Sequence, residues 1–587
     1  MRRIRLTRAD GLFFLLFAAA LALALWKVPY GFGWYDEAFY LTIPHRLTLG
    51  DALFLDEWHL SQMSGLLLTP FVALYRGLFQ CNDGILLAAR HSYVALHGLV
   101  ALFVYLRLRR FGAASVFAAV SFFLFTPFDI MAYSYNTMAI DLLTLCCVGL
   151  ATMRPGNRPA LLLSGAAFAG SVLCCPYLAF VYFLYAALVA VRGIFRRRRR
   201  AVPAADGASG DGAFLLSAKA FFFLTLGIAL PAALFLLFVF SRASLSELLR
   251  VFPALFTDPE HADLSLLSKL SQYLRHCQPY YRYGFAAYGL LLLALLLDKN
   301  RMRRRGLYLA GSCAVAAHCW LWCCGDLINT HYNAINMPLA FVGLSAYLLC
   351  RKKPKRLFFA LFLPGLAYTF AVCMSSNVGF YAVSMAYAVP NLASFLFLGR
   401  LLGELNAERA ASSQDPAPRR LLRSLGLLAG CAAVAVLLAL QVVVKARHCF
   451  FEESPERLTC RISAGPARGL YTSPANGQGY DRLYADLQDY RDRPRDNILL
   501  LTEKTWCYLA LEDFPYGTYS AWLSGINRGV VDTERLLLYY RLNPDKIPRY
   551  IYVPKGSSFD RDTLQMAAER YGYRFEESAV SCRLTQE

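Results

Sequence analysis

The sequence predicts a polytopic, all-α membrane protein of about 13 transmembrane helices, followed by a small α/β domain outside the bilayer. Three observations predict it. The chain has 587 residues, is 57% hydrophobic and only 17% charged, against about 25% charged in a soluble domain. Its apolar residues gather in blocks of bilayer-crossing length. After residue 445 the blocks stop, charges, Gly and Pro become frequent, and strand-like and helix-like runs alternate.

The blocks lie near 10–28, 84–105, 112–126, 136–152, 159–174, 177–192, 213–240, 282–297, 306–323, 334–349, 356–373, 379–399 and 424–444. The first has no small-residue cleavage site after Val28 and reads as a retained span. Leu66 to Phe79 is short and interrupted, and reads as a re-entrant or interfacial helix.

The net charge of +20 would suit nucleic acid, but the cations fall between blocks, which excludes that partner. With Arg2, Arg3, Arg5 and Arg8 inside, so are Arg107–Arg110, Arg154 and Arg158, Arg196–Arg200, Lys299–Arg305, Arg351–Arg356 and Arg400–Arg423. One miscounted hairpin would break this agreement. The loops left outside are 29–83, 126–135, 241–281, 324–333 and 374–378, rich in Asp, Glu, His, Asn and Tyr. Polar loops on a rigid helical scaffold are candidate site material, although an aromatic belt accounts for many of the tyrosines.

Of the 17 cysteines, many sit within blocks, as at Cys146–Cys147 and Cys174–Cys175, and read as small apolar residues. No CxxC zinc pattern and no nucleotide-binding loop occurs. In the C-terminal region, DNILLLTEKTWCYLALEDFP reads as strand, turn and short helix, IPRYIYVPK as a strand, 561–571 as a helix and YRFEESAVSCRL as one more strand. An oxidising compartment permits a disulfide there, and Cys449 with Cys460 is the expected pair. Trp506, Tyr508, Asp513, Tyr516 and Trp522 suit either sugar stacking or packing.

The long first outside loop opens with GWYDEAFYL. One span followed by an outside loop with an acid just past the membrane exit resembles the GT-C fold glycosyltransferases, the superfamily of protein O-mannosyltransferases and bacterial aminoarabinose transferases. The resemblance covers residues 1 to about 445 and places Asp36 in the role of the first-loop acid. It implies a GT-C-like fold and a polyprenyl-phosphate-linked sugar as donor. It also implies an extracytoplasmic glycan or lipid as acceptor, membrane lipids around the spans, and a bacterial plasma membrane (the same face would be the ER lumen in a eukaryote). Residues 446–587, outside the resemblance, are expected to guide a glycan acceptor or to shape the site.

Such a reaction needs a carboxylate to take the acceptor's proton and donors or cations to stabilise the leaving phosphate. Asp36 is the expected base, acting by direct inverting displacement. Glu37, its neighbour, points elsewhere and either binds acceptor or holds the loop. Asp129, in TPFDIMAYSYN, is the second loop's acid, or else a cap for the helix near Asn136. His59 and Gln62 are expected to contact sugar or phosphate. DPEHADLSLLSKLSQYLRHCQPYYRYG reads as an interfacial helix bearing Lys269, Arg275, His276 and Arg282, with Arg275 or Arg282 on the donor phosphate. His331, beside Asp326, Tyr332 and Asn333 in GDLINTHYNAIN, and Asn377 in SSNVGFY complete the expected donor pocket. No obligatory cofactor or metal is expected, and a divalent ion bridging Asp36, Asp129 or His59 is left open. The competing class is a transporter or flippase of a lipid-linked sugar, which would place its essential polar groups within the spans. Transfer of a phosphorylated group is a further alternative, for which no nucleophile or metal-binding acid set stands out.

Overall fold

The computed structural model describes residues 6–586 except 200–216, 257–266, 269–270, 272–278, 326–331, 376–383, 412–415, 524–532 and 557–560. Every predicted apolar block has a helix: α1 (Arg8–Lys27), α4 (Ile85–Leu108), α5 (Ala113–Leu124), α6 (Tyr135–Thr152), α7 (Arg158–Cys174), α8 (Ala179–Arg199) and α9 (Ala218–Phe240), then α11 (Pro279–Leu297), α12 (Arg305–Gly325), α13 (Met337–Leu349), α14 (Leu363–Ser375), α15 (Ala388–Ala411) and α16 (Ala417–Arg447). Among the described residues ten helical segments are long and apolar enough to cross a membrane. Ala113–Leu124, Arg158–Cys174 and Tyr281–Leu297 are apolar but shorter. The chain is a multi-pass helical membrane protein.

In a bilayer, helices associate through close packing more than through the hydrophobic effect, so small residues mark the crossings. A Cβ at Gly165 of α7 or Gly227 of α9 would overlap the facing backbone, as would one at Gly306 of α12 or Gly426 of α16. The loops grouped by the charge pattern do meet. Asp10 at the start of α1 pairs with Arg109 beyond α4, and Arg305 of α12 with Glu404 and Glu408 of α15. At the other ends of α1 and α16, Lys27 and Lys445 converge on the 126–135 turn.

The first loop is not a loop. It folds into α2 (Asp36–Thr48) and α3 (Gln62–Phe79). The segment expected as a short re-entrant helix is an 18-residue helix, because it begins at Gln62 and packs along α2, where Gly65 admits the side chain of Ile43. A seven-residue helix, α10 (Leu245–Val251), follows α9.

After α16, β1 (Cys460–Arg461) pairs antiparallel with β2 (Tyr471–Thr472). A four-stranded sheet follows in the order β3-β4-β6-β5, from β3 (Ile498–Leu500), β4 (Tyr550–Pro554), β5 (Tyr573–Glu577) and β6 (Ser581–Gln586). Its β3–β4 pair is parallel and the others antiparallel. The stretch expected as one strand is the β5–β6 hairpin, because Ser578 turns the chain back by accepting from the backbone N–H of Val580 and Ser581. The expected Cys449–Cys460 bridge does not form, and both are free. Cys449 lies against Gly31, whereas Cys460 lies against Gly477.

First loop and C-terminal segment share one aromatic core. Phe32, Trp34 and Phe39 pack with Tyr480, Trp506 and Tyr516. A buried ion cluster joins them. Arg46 donates to Asp51 (2.6 Å), to Glu57 (2.7 Å) and to the carbonyls of Asp56 and Thr518, and Lys546 pairs with Asp51. His45, wholly buried, lies between the Tyr516 hydroxyl (3.0 Å) and Asn82 (3.1 Å). Burial and the nearby Arg76 cation lower its pKa to about 3. His45, Asp56 and Glu57 are therefore part of a joint between two chain segments.

Candidate active site

Asp36 and Glu37 open α2, where carboxylates favour the helix dipole. Successive helical residues diverge by about 100°, and the two acids meet different surroundings. Glu37 is buried and bidentate to Arg90 of α4, with both contacts at 2.6 Å. The same guanidinium donates to the carbonyls of Val28, Tyr30 and Gly31. One charged fork thus fixes the path of the chain as it leaves α1. Glu37, expected among the catalytic acids, is fully engaged in holding the loop.

Asp36 makes no hydrogen bond or ion pair with any described residue. Burial without a partner pushes its carboxyl up to about 6. Its charge acts on Tyr40, Tyr135 and Tyr332, and the Tyr40 and Tyr135 rings meet edge to face at 5.6 Å.

Asp129 sits differently. Phe128 and Asp129 both have positive φ (55° and 51°), a strained pair for non-glycine residues at about 1–3 kcal/mol each. The turn is pinned by Phe128 N–H donating to Asn333 Oδ1 at 2.9 Å. Lys445 pairs with Asp129 Oδ1, Lys27 lies 3.4 Å from Oδ2 and His448 3.6 Å from it. Lys445 also donates to Thr126, and Lys27 to the carbonyls of Lys445 and His448. Burial disfavours the Asp129 carboxylate, but Lys445 and Lys27 outweigh it and hold the group well below the usual range. The capping alternative fails, because Ser134 caps α6. A metal bridging through Asp129 does not fit either, since both of its oxygens face cations. Among the described residues no three His, Cys, Asp or Glu side chains form a metal-holding group.

A cavity of about 740 Å³, within the usual range for small-ligand sites, is lined by Phe128, the neighbour of Asp129, and by Tyr135, on which the Asp36 charge acts; neither acid lines it. Its polar end holds His59, Gln62, Tyr135 and Asn136, and Phe128 also lines it. The far wall is apolar. Leu236, Phe240 and Phe252 line it and are 50%, 51% and 55% exposed.

His59 and Gln62, expected to contact sugar or phosphate, line the cavity. Gln62 accepts from Phe54 N–H at 2.7 Å. The Ser61 N–H donates to His59 Nδ1, which leaves the proton of the neutral ring on Nε2. Arg282 is exposed on α11 and does not line this cavity. Arg275, His331 and Asn377 lie outside the described residues, as do Lys269, His276 and Asp326. Sequence reasoning overlooked Lys27, Lys445, Arg90 and Tyr135. A signal existed for three of them: Arg90 is a cation within an apolar block, and Lys27 and Lys445 are cations at span ends where the alternation leaves few.

No protein-family model matches the chain, and no curated protein does. Solved structures trace a similar path. ArnT from Cupriavidus metallidurans in the apo state is 12% identical, with 98% of each chain covered and a TM-score of 0.49. The same protein bound to undecaprenyl phosphate gives 12%, 98% of each chain and 0.46. Archaeal oligosaccharyltransferase AglB from Archaeoglobus fulgidus, in complex with an inhibitory peptide and a dolichol-phosphate, is 14% identical over 97% of this chain and 73% of its own, with a TM-score of 0.42.

Proposed function

We propose that this chain is an integral-membrane glycosyltransferase of GT-C type. It moves a sugar from a polyprenyl-phosphate donor to a glycan or lipid acceptor on the extracytoplasmic face, with Asp36 as general base. Residues 1–445 carry donor site and base, and 446–587 form the acceptor side. The observation that carries this reading is Asp36, without a partner among the described residues and raised to about 6, with its charge acting on Tyr135, which lines a cavity holding both polar and apolar walls.

The chemistry follows from those surroundings. A lipid tail enters between Leu236, Phe240 and Phe252, which brings its phosphate to the polar end. The acceptor hydroxyl gives its proton to Asp36 as its oxygen bonds to the anomeric carbon. The bond from that carbon to the phosphate oxygen breaks, and polyprenyl phosphate leaves. One displacement inverts the anomeric centre. A base with a pKa near 6 is ionised at neutral pH and still accepts a proton readily. The His59 Nε2–H is a donor for the leaving phosphate. The Lys27–Lys445–Asp129 cluster, with two cations to one anion, favours negative charge above the Phe128 turn.

A transporter would act through ionisable groups within its spans. Asp141, inside α6, is ion-paired with His97 (2.7 Å), whose other ring nitrogen faces the Phe122 carbonyl. That pair is saturated.

The test is sugar transfer by the full chain in nanodiscs, supplied with labelled polyprenyl-phosphate sugars and a cell-envelope lipid and glycan extract. Wild-type protein transfers label and folded Asp36→Asn does not. Equal transfer by both removes Asp36 from the mechanism, and donor movement without transfer replaces the enzyme reading with the transporter.

A further inference from the structure

An arc of aromatic rings leaves the cavity at one point and returns to it at another. Phe128 lines the cavity and its ring lies 6.4 Å from Phe450, which meets Phe451 in a tilted pair at 4.2 Å. Phe451 meets Tyr35 edge to face at 5.9 Å, and Tyr35 meets Trp522 at 6.2 Å. Trp522 then contacts Phe39 (6.2 Å), and Phe39 contacts His59 (4.6 Å), back on the cavity wall. Asp36 lies between Tyr35 and Phe39 on α2.

Phe39 is the arc's one buried ring and belongs to the aromatic core, while the other rings keep some exposure. Phe451 is 64% exposed and is held there at a positive φ of 52°; Tyr35 and Trp522 are partly exposed. Polar groups stand along it. The Tyr35 hydroxyl donates to Glu503 at 2.8 Å, Lys504 lies 5.0 Å from the Trp34 ring, and Thr505 fixes the Tyr35 carbonyl.

We propose that this arc is the acceptor subsite, and that it binds the sugar rings of a glycan-bearing acceptor. The inference deepens the transfer reading and rests on Asp36 facing the acceptor. A pyranose presents apolar C–H faces that suit aromatic rings, and hydroxyls that suit a carboxylate and an ammonium. A bare acyl chain would gain nothing from Glu503 and Lys504, and the apolar wall of the cavity already offers it a place. The arc also joins the C-terminal segment, through Trp522, Glu503 and Lys504, to the helix that carries the base.

The experiment measures sugar binding directly, by saturation-transfer NMR on the full chain in nanodiscs. The probes are tetrasaccharides of mannose, of galactose and of N-acetylglucosamine. Wild type saturates at least one probe. Trp522→Ala and Phe451→Asn, the latter chosen because Asn tolerates positive φ, bind it at least tenfold more weakly. Thermal unfolding separates lost binding from lost folding, and the exposed Phe451 keeps the test decisive if Trp522→Ala does not fold. Binding of no probe by wild type overturns the proposal. Undiminished binding by Phe451→Asn also overturns it and leaves that ring as an anchor at the bilayer surface. Sugar binding without transfer retains the subsite and removes the transfer reading; transfer without ring-dependent binding does the reverse.

Discussion

Asp36, at the head of α2, and Asp129, in the turn before α6, are the same side chain on the same face of the molecule. Asp129 is buried, whereas Asp36 keeps partial exposure although the protein around it desolvates its carboxyl. Asp129 is ringed by Lys27, Lys445 and His448, whereas Asp36 has no partner among the described residues and is raised to about 6. Burial disfavours the charge of both, and only at Asp129 do cations more than compensate. A buried carboxylate with a full set of partners is a structural element, and removing one partner strands the others. A buried carboxylate without partners carries a standing cost that folding alone does not explain, and such groups gather at working sites.

The comparison can be broken by exchanging the acids for their amides. Asp36→Asn lowers transfer about 10²–10⁴-fold, the range for losing a general base, with the protein still folded. Asp129→Asn acts through folding. It strands two buried lysines and costs about 3–5 kcal/mol, read as a fall in thermal stability in detergent. Lys445→Met in the same chain recovers part of that loss if the stranded charge is the cause.

Glu37 sharpens the contrast, since it adjoins Asp36 and behaves like Asp129. Arg90→Lys keeps the charge but loses the fork that holds Glu37 and three carbonyls. It destabilises by about 1.5–3 kcal/mol, measured by the same thermal scan.

The smallest effects concern pH. Transfer requires ionised Asp36, so kcat/KM rises as pH passes about 6 and is flat above. Stability runs the other way. A carboxyl raised by folding binds its proton more tightly in the folded chain than in the unfolded one, so ionisation destabilises the fold increasingly between about pH 4 and pH 6. Asp36→Asn removes that penalty. It is more stable than wild type by roughly 1–2 kcal/mol above pH 6, the partial exposure of the group discounted, and equal to it below pH 4. A variant less active and no more stable at pH 8 would mean that Asp36 has a partner after all.

Legibility differed by scale. Span positions could be read because a bilayer demands about 20 apolar residues for each crossing, and the grouping of loops could be read because cations mark one face. Asp36 was legible from its place after the first span, and its divergence from Glu37 from helical periodicity alone. Arg90, Lys27 and Lys445 were not read, although each is a cation in an apolar setting, because their partners are remote in the chain: Glu37 lies 53 residues from Arg90, and Asp129 lies 102 from Lys27 and 316 from Lys445.

By itself, then, the sequence determined the helices, their alternation, the strand–helix character after residue 445 and the pair of acids at the first membrane exit. These follow from local composition and period, which the solvent reads directly. Tertiary structure alone decided which acid is free. It gave Glu37 to Arg90 and Asp129 to two lysines, folded the first loop onto the C-terminal segment, and left the Asp36 carboxyl without a partner among the described residues. An ionisable group's state is set by the charges and water within a few ångströms of it, and those neighbours come from every part of the chain.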